Sequence, residues 1–392
     1  MAIPGKTRQE IIGGINSQES AAAKTASYIF DNPETGNNEF ESARYLGAIL
    51  EKNNFSVCTG SGGLPTAFKA EFAFNKPGPS VCLIAEYDAL PGLGHACHHH
   101  IIASSSVHAA IALSKIEGLC GKIIVAGTPA EELMGAKGAM IKNGVFNDID
   151  IAMMLHGGFM NSVNLIMMAL YGVEFTFYGK ASHAAAAPHE GINALDALIQ
   201  LFNSISALRQ QLKDDVRIHG IITDGGRAVN IIPDTAAARF YIRTRFIKDL
   251  DAVLNKIINC AKGAALAAGA ELKTSIYEGP CKDLLSNSAL IEEYTNNFIS
   301  LGGYLNQDQM LLGSSDAGDL SYFIPVLHPM IKTAGSGAGL HTEEFLGYGK
   351  SSIAYKSMML GMKAIALTAA RAMLDKDFLD SVKADFKSAS NI

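Results

Sequence analysis

Two rhythms of apolar and polar positions divide this chain. Val81-Cys82-Leu83-Ile84-Ala85 and Ile123-Ile124-Val125-Ala126 run without polar alternation, the pattern of strands covered on both faces by helices. Ile149 to Leu155 repeats it. Helices are predicted at about 19–30, 40–53 and 99–115, with another strand at about 67–74, so this part reads as α/β. Each buried run ends in polar residues, and open α/β sheets place their chemistry at the carboxyl ends of their strands. The rhythm changes near Tyr171. Strand 172–178, helix 193–212, strand 216–223, strand 236–245, helix 250–268 and strand 271–277 follow the split βαβ order of a small ferredoxin-like α+β unit. After about Gly279 helical and buried-strand patterns resume. The pattern predicts a discontinuous domain, 1–171 plus 279–392, carrying an inserted lid at 172–278.

Composition narrows the class of partner. The 392 residues carry a formal net charge of -6 and no block of like charge, which argues against nucleic acid or an anionic membrane surface and for a small solute. Met1 to Glu19 is largely polar and lacks the basic and apolar regions of a signal peptide. No apolar run reaches the roughly 18 residues of a membrane span. A soluble cytoplasmic protein is therefore expected. The 6 cysteines are too scattered for a disulfide framework and read as buried small apolar residues, Cys97 excepted.

Cys97 lies in Gly94-His95-Ala96-Cys97-His98-His99-His100, between a Pro-Gly turn and an apolar helix. Thiolate beside imidazole suits a borderline-soft transition metal, although a histidine run can also be a solvated loop. Adjacent residues cannot surround an ion, so further ligands must come from elsewhere. Glu131 and Glu132 follow a buried strand and offer one ligand and one base, or simply a solvated helix start after Pro129. His156 ends an apolar run, and His341 follows a Gly-rich stretch; each taken alone reads more readily as structural.

Together the motifs resemble one family. Glu86-Tyr87-Asp88-Ala89-Leu90-Pro91-Gly92, Gly94-His95-Ala96-Cys97, Gly127 to Glu132, Leu155-His156-Gly157, Gly179-Lys180-Ala181-Ser182-His183-Ala184, Asn230-Ile231-Ile232-Pro233, Ser315-Asp316-Ala317-Gly318-Asp319 and Leu340-His341-Thr342 occur in the order seen in the co-catalytic metallopeptidases of the aminoacylase and carboxypeptidase G type. They are most similar to the amidohydrolase branch with aminobenzoyl-glutamate hydrolase, auxin-conjugate hydrolases and Xaa-Arg dipeptidases. The resemblance implies an α/β, mixed-sheet zinc-peptidase-like catalytic domain with a lid that also dimerises.

The same resemblance implies a metal-dependent amidohydrolase for N-acyl amino acids or dipeptides. Two divalent ions, Zn by the softness of a thiolate or Mn by its oxygen ligands, would be held by a bridging Cys97 with His99, Glu132, His156 and His341. Glu131 would be the general base. Asp88 would orient a ligand imidazole, or else cap the turn that follows it. His183 would reach a partner's site in a homodimer to stabilise the oxyanion. Asn230 and Arg243 would hold substrate, Arg243 through its carboxylate, unless it is an exposed strand charge.

One departure stands out. The branch has Gly-His-Asn or Gly-His-Asp after the bridging cysteine, and this chain has His98-His99-His100. His98 adds bulk and is strained wherever the backbone requires a positive φ. A non-catalytic metal- or conjugate-binding relative with an altered site is the competing reading. Nucleotide binding is disfavoured by the lack of Walker or dinucleotide spacing, and a serine hydrolase by the lack of a Gly-x-Ser-x-Gly elbow.

Overall fold

The computed structural model describes residues 3–133, 135–311 and 313–390. The chain begins with helices α1 (Gly5–Ser17), α2 (Glu19–Asp31) and α3 (Phe40–Lys52). Ile11 and Ile15 of α1 are buried one turn apart, so a segment that reads as polar overall still offers an apolar edge. Then come β1 (Ser56–Thr59), β2 (Phe68–Ala73), β3 (Ser80–Ala85), α4 (His99–Ser114), β4 (Lys122–Gly127), α5 (Ala136–Lys142), β5 (Ile151–Met153), β6 (His156–Gly158) and β7 (Leu165–Ile166). The apolar stretch predicted as one strand at 149–155 is shorter than expected. It ends at Met153, and His156 opens a separate strand with another partner.

A second compact unit, Met167–Asp283 with Leu312–Ser315, begins earlier and ends later than 172–278 and takes in a short later segment. It contains β8 (Ala169–Tyr178), α6 (Ala194–Leu208), β9 (Arg217–Asp224), β10 (Thr235–Thr244), α7 (Ile247–Ala268) and β11 (Glu271–Cys281). The strands form an antiparallel sheet in the order β11-β8-β10-β9. Alternate residues of β10, from Ala236 to Thr244, are buried, and α6 and α7 cover that face with Leu198, Leu201, Leu254 and Ile257. Strand β9 is an edge, and Ile218 is its one buried residue; Ile221 and Ile222 stand exposed.

The chain returns to the first unit with α8 (Ser288–Ser300), β12 (Met310–Leu311), α9 (Ala317–Ser321), β13 (Val326–Leu327), β14 (Met330–Lys332), α10 (Glu343–Gly347), α11 (Ser352–Leu374) and α12 (Lys376–Ser390). The main sheet runs β1-β2-β4-β3-β5-β13. Its centre, β4-β3-β5-β13, is parallel and its β1-β2 edge antiparallel, a mixed sheet. Helix α4 is buried along nearly its whole length. Its serines find carbonyls there: Ser104 Oγ donates to Ala22 O at 2.7 Å and Ser106 Oγ to Ile84 O at 2.5 Å, which satisfies polar groups that burial would otherwise penalise. Helix α11 is, contrary to the sequence reading, long and apolar enough to cross a membrane by length and composition. It is mostly buried and packs on α4 and α8, as the core helix of a globular unit does.

Candidate metal centre

Parallel strands set the stage. Glu86 and Asp88 follow β3, Glu131 and Glu132 follow β4, and His156 stands just beyond β5, so the carboxyl edge of the sheet gathers them. Cys97 and His99 enter from the start of α4, and His341 from the loop before α10. Backbone bonds fix that loop: His341 N donates to Ala96 O at 3.0 Å. The turn bearing the two glutamates is held by Ala130, whose left-handed φ of 54° is tied by its N–H to buried Glu39 Oε1 at 2.7 Å.

Donor atoms from these residues form three overlapping groups, each with all its atoms within 4.8 Å of one another: Cys97, His99 and His156; Cys97, Glu132 and His341; and His99, Glu131 and Glu132. Cys97 Sγ lies 3.7 Å from His156 Nε2. His99 Nε2 is 3.8 Å from both Glu131 Oε2 and Glu132 Oε1, and Glu132 Oε1 is 3.4 Å from His341 Nε2. His99 Nε2 and Glu132 Oε1 are buried without a hydrogen-bond partner. Buried donors and acceptors are almost always paired. Two orphans facing each other among a thiol and imidazoles fit a cation as the partner they lack.

The remaining nitrogens of the imidazoles are already taken. Asp88 Oδ1 accepts from His99 Nδ1 at 2.9 Å, and Asp88 Oδ2 accepts from the backbone N–H of Glu132 at 2.9 Å. His156 Nδ1 donates to Gly157 O at 2.7 Å. Both rings thereby present Nε2 to the cluster, the arrangement that fixes a metal-ligating tautomer.

Charge is distributed unevenly. Burial lowers the His99 imidazole, but the Cys97 sulfur and Asp88 outweigh it and leave its pKa well above the ordinary value. Burial pushes the Cys97 thiol up, so a thiolate there depends on a cation. Burial raises Glu132 too, yet the approach of the His341 imidazole and the charge of His99 bring it down to about 2. Glu131, beside it, is driven the other way by burial and by Glu86. Two adjacent carboxylates are thus pushed apart in pKa, the signature of different roles.

His98 and His100 lie outside all three groups. His98 does adopt a left-handed φ of 60°, at the start of α4. Its ring turns away, with Nδ1 2.8 Å from Thr333 Oγ1, Nε2 2.9 Å from Phe345 O, and the Phe345 ring stacked at 4.0 Å. Gly157 makes room for it: a Cβ there would lie 2.8 Å from His98 Cβ. His100 Nε2 donates to Gly349 O at 2.8 Å.

The second unit carries the other expected residues. His183 and Asn230 are exposed neighbours, joined by an isolated bridge from His183 to Ile231 and by Ala184 N donating to Asn230 O at 3.0 Å. Arg243 is half-buried on the face of β10 that also bears Tyr241; its Nη1 donates to Ser314 Oγ at 3.0 Å, and Nε has no partner. Arg245 lies beyond the end of the strand.

Several residues escape a sequence reading. Lys137, Glu86 and Asp316 form a fully buried charge cluster, and His328 stacks on His156 at 5.5 Å with both nitrogens unpartnered. Glu86 and Asp316 do stand in motifs that carry the family resemblance, and Glu86 also closes an apolar strand, but neither signal names a role.

Residues 169–268 match the family model described as a peptidase dimerisation domain. The chain is 38% identical over 339 residues to the Xaa-Arg dipeptidase of Mus musculus, covering 83% of this chain and 78% of that protein. The chain belongs to the M20 peptidase family. The M20 chain is also 28% identical to a p-aminobenzoyl-glutamate hydrolase component of Escherichia coli K12, over 93% of this chain and 92% of that one. Its fold matches the Bacillus subtilis YXEP protein, a dinuclear metal binding M20 peptidase, with a TM-score of 0.72 at 19% identity, covering 91% and 99% of the two chains. The protein is an M20 hydrolase of mixed α/β fold with a dimerisation domain, and its relatives include amidohydrolases and dipeptidases.

Proposed function

We propose that this M20 hydrolase cleaves the amide bond of an N-acyl amino acid or dipeptide at a two-ion centre. The observation that carries the reading is the sharing of Cys97 between two ligand groups, which suits one thiolate between two ions. Cys97, His99 and His156 would hold one divalent ion, and Cys97, Glu132 and His341 the other, as Zn or Mn. Bound ions of this kind lower the pKa of water and polarise a scissile carbonyl. Glu131 is the proton carrier: with bound cations offsetting the burial that raises it, its carboxylate would take the proton of the attacking water and deliver it to the departing amine. Asp88 keeps His99 in register. Arg243, with a planar guanidinium and a free Nε, suits a substrate carboxylate, and Asn230 the atoms near the reacting carbonyl.

His183 is assigned to the oxyanion of a partner's site in a homodimer. The exposed β9 edge within the dimerisation domain supports that assembly. Six free cysteines suit a reducing compartment, the cytoplasm. The position of His98 and His100 outside the ligand groups favours a working site over a non-catalytic relative. The test pairs elemental mass spectrometry with a ninhydrin screen of N-acyl amino acids and dipeptides. Near two metals per chain and chelator-sensitive amino-acid release are expected, with Glu131→Gln keeping the metals and losing turnover; turnover retained in that variant refutes the assignment.

A further inference from the structure

Beside the ligand groups lies a charge that the mechanism above does not use. Lys137, in the first turn of α5, is fully buried, and its Nζ lies 2.6 Å from Glu86 Oε1 and 2.5 Å from Asp316 Oδ1. Asp316 is spent on this lysine, because its Oδ2 also accepts the Lys137 backbone N–H at 3.0 Å. Glu86 is not spent. Its Oε2 is buried with no partner and lies 3.9 Å from His99 Nε2, the orphaned atom of the ligand cluster. Two carboxylates around one ammonium leave a negative charge over, and an uncompensated buried charge is costly. The free oxygen faces the ligand cluster, whose orphaned His99 Nε2 fits a cation.

We propose that Glu86 is a positioning residue of the metal centre, a carboxylate that Lys137 and Asp316 clamp by one oxygen so that the other supplies negative charge to the ions. The inference rests on the two-ion reading. Within the ligand groups Cys97, Glu131 and Glu132 set three negative charges against the four of two divalent ions. From outside those groups Asp88 acts through His99 Nδ1, and Glu86 adds its charge on the Nε2 side, where the ions would sit. Lys137 has a mechanical role in this arrangement: it neutralises Asp316 and stops Glu86 from rotating away from His99.

The arrangement separates two effects that a single variant would confuse. Glu86→Gln and Asp316→Asn each remove one carboxylate charge from Lys137, and each leaves the lysine one anionic partner. They differ in whether the lost charge faces the ligand cluster, and Asp316→Asn additionally weakens the acceptor of the Lys137 backbone N–H, so a larger effect of Glu86→Gln is not owed to lost contacts with the lysine. Metal-free protein is titrated with cobalt(II), read by the thiolate-to-cobalt charge-transfer band and by a competing chromophoric chelator, with circular dichroism as a check on folding. Wild type taking up two cobalt ions, one or both giving the thiolate band, supports the two-ion reading; fewer than two removes it and this inference together. With that reading intact, Glu86→Gln weakens the looser ion by about tenfold or more, the usual scale for a group that supports metal ligands, while Asp316→Asn changes it by less than about threefold. Glu86→Asp, which keeps the charge but draws it back by one methylene, recovers part of the loss, and it also serves if the glutamine variant does not fold. Equal effects of Glu86→Gln and Asp316→Asn, or unchanged cobalt affinity in both Glu86 variants, overturn the proposal.

Discussion

Replacing His98 by glycine, the residue that the family resemblance leads one to expect there, sets two physical effects against each other. The left-handed backbone at His98 costs a residue with a Cβ about 1–2 kcal/mol, which glycine would recover. Against this, the ring is wholly buried and donates to the Phe345 carbonyl. Stripping that carbonyl of its donor costs about 1–3 kcal/mol. The space left by an imidazole costs about 2–4 kcal/mol more, by analogy with large-to-small core substitutions. The losses win, and His98→Gly should destabilise the protein by about 3 kcal/mol. In a unit of this size that lowers the thermal midpoint by about 6–12 °C. Differential scanning calorimetry measures the shift, and elemental analysis of the same sample should find its metal content unchanged. A midpoint that stays or rises would mean that strain outweighs the ring's contacts. Loss of metal would mean that His98 is a ligand after all.

Cys97→Ser should lower metal content and abolish the cobalt thiolate band, whereas Cys58→Ser, at an exposed cysteine, should alter neither. Burial holds the His108 imidazole down to about 4, between Thr25 and Gln18. An unfolded histidine binds its proton near 6.5, so the unfolded chain holds more protons between these values and stability falls as pH drops from about 6.5 to 4. Melting curves across that range should therefore fall less steeply for His108→Gln; identical slopes refute the assignment. Ile221→Lys on the exposed β9 edge should yield monomers in analytical ultracentrifugation, and these, like His183→Ala, should lose kcat far more than metal. A fully active monomer would contradict the shared site.

The legible parts of this molecule were those where period and chemistry coincide. Val81 to Ala85 and Ile123 to Ala126 announce buried parallel strands, and the second unit's strand-helix order follows from the alternation in β10 and the apolar stripes of α6 and α7. The ligand candidates converge because each closes such a strand or opens the helix after it. Lys137 was illegible for the opposite reason. A lysine in a seven-residue helix reads as surface, and only tertiary folding brings it to Glu86 and to Asp316, which lies far along the chain. The turn of the His98 ring toward Thr333 and Phe345 is likewise a long-range fact, and bulk at that position reads as an obstruction until the vacancy at Gly157 is seen. The short strand at His156 was hidden because its partner, β14, lies beyond the inserted unit.

That discontinuity has a consequence in time. Strands β13 and β14 pair with β5 and β6, and His341 follows His156 only after almost two hundred further residues. At ordinary rates of synthesis the ribosome needs on the order of ten to forty seconds for that stretch. During it the nascent first unit has Cys97, His99 and His156, with β5 paired to β3 but not yet to β13, while the second unit is being made. The second ligand group closes only after the inserted unit and β13 and β14 have been made, so that group and the last strands of the sheet belong to the same late stage.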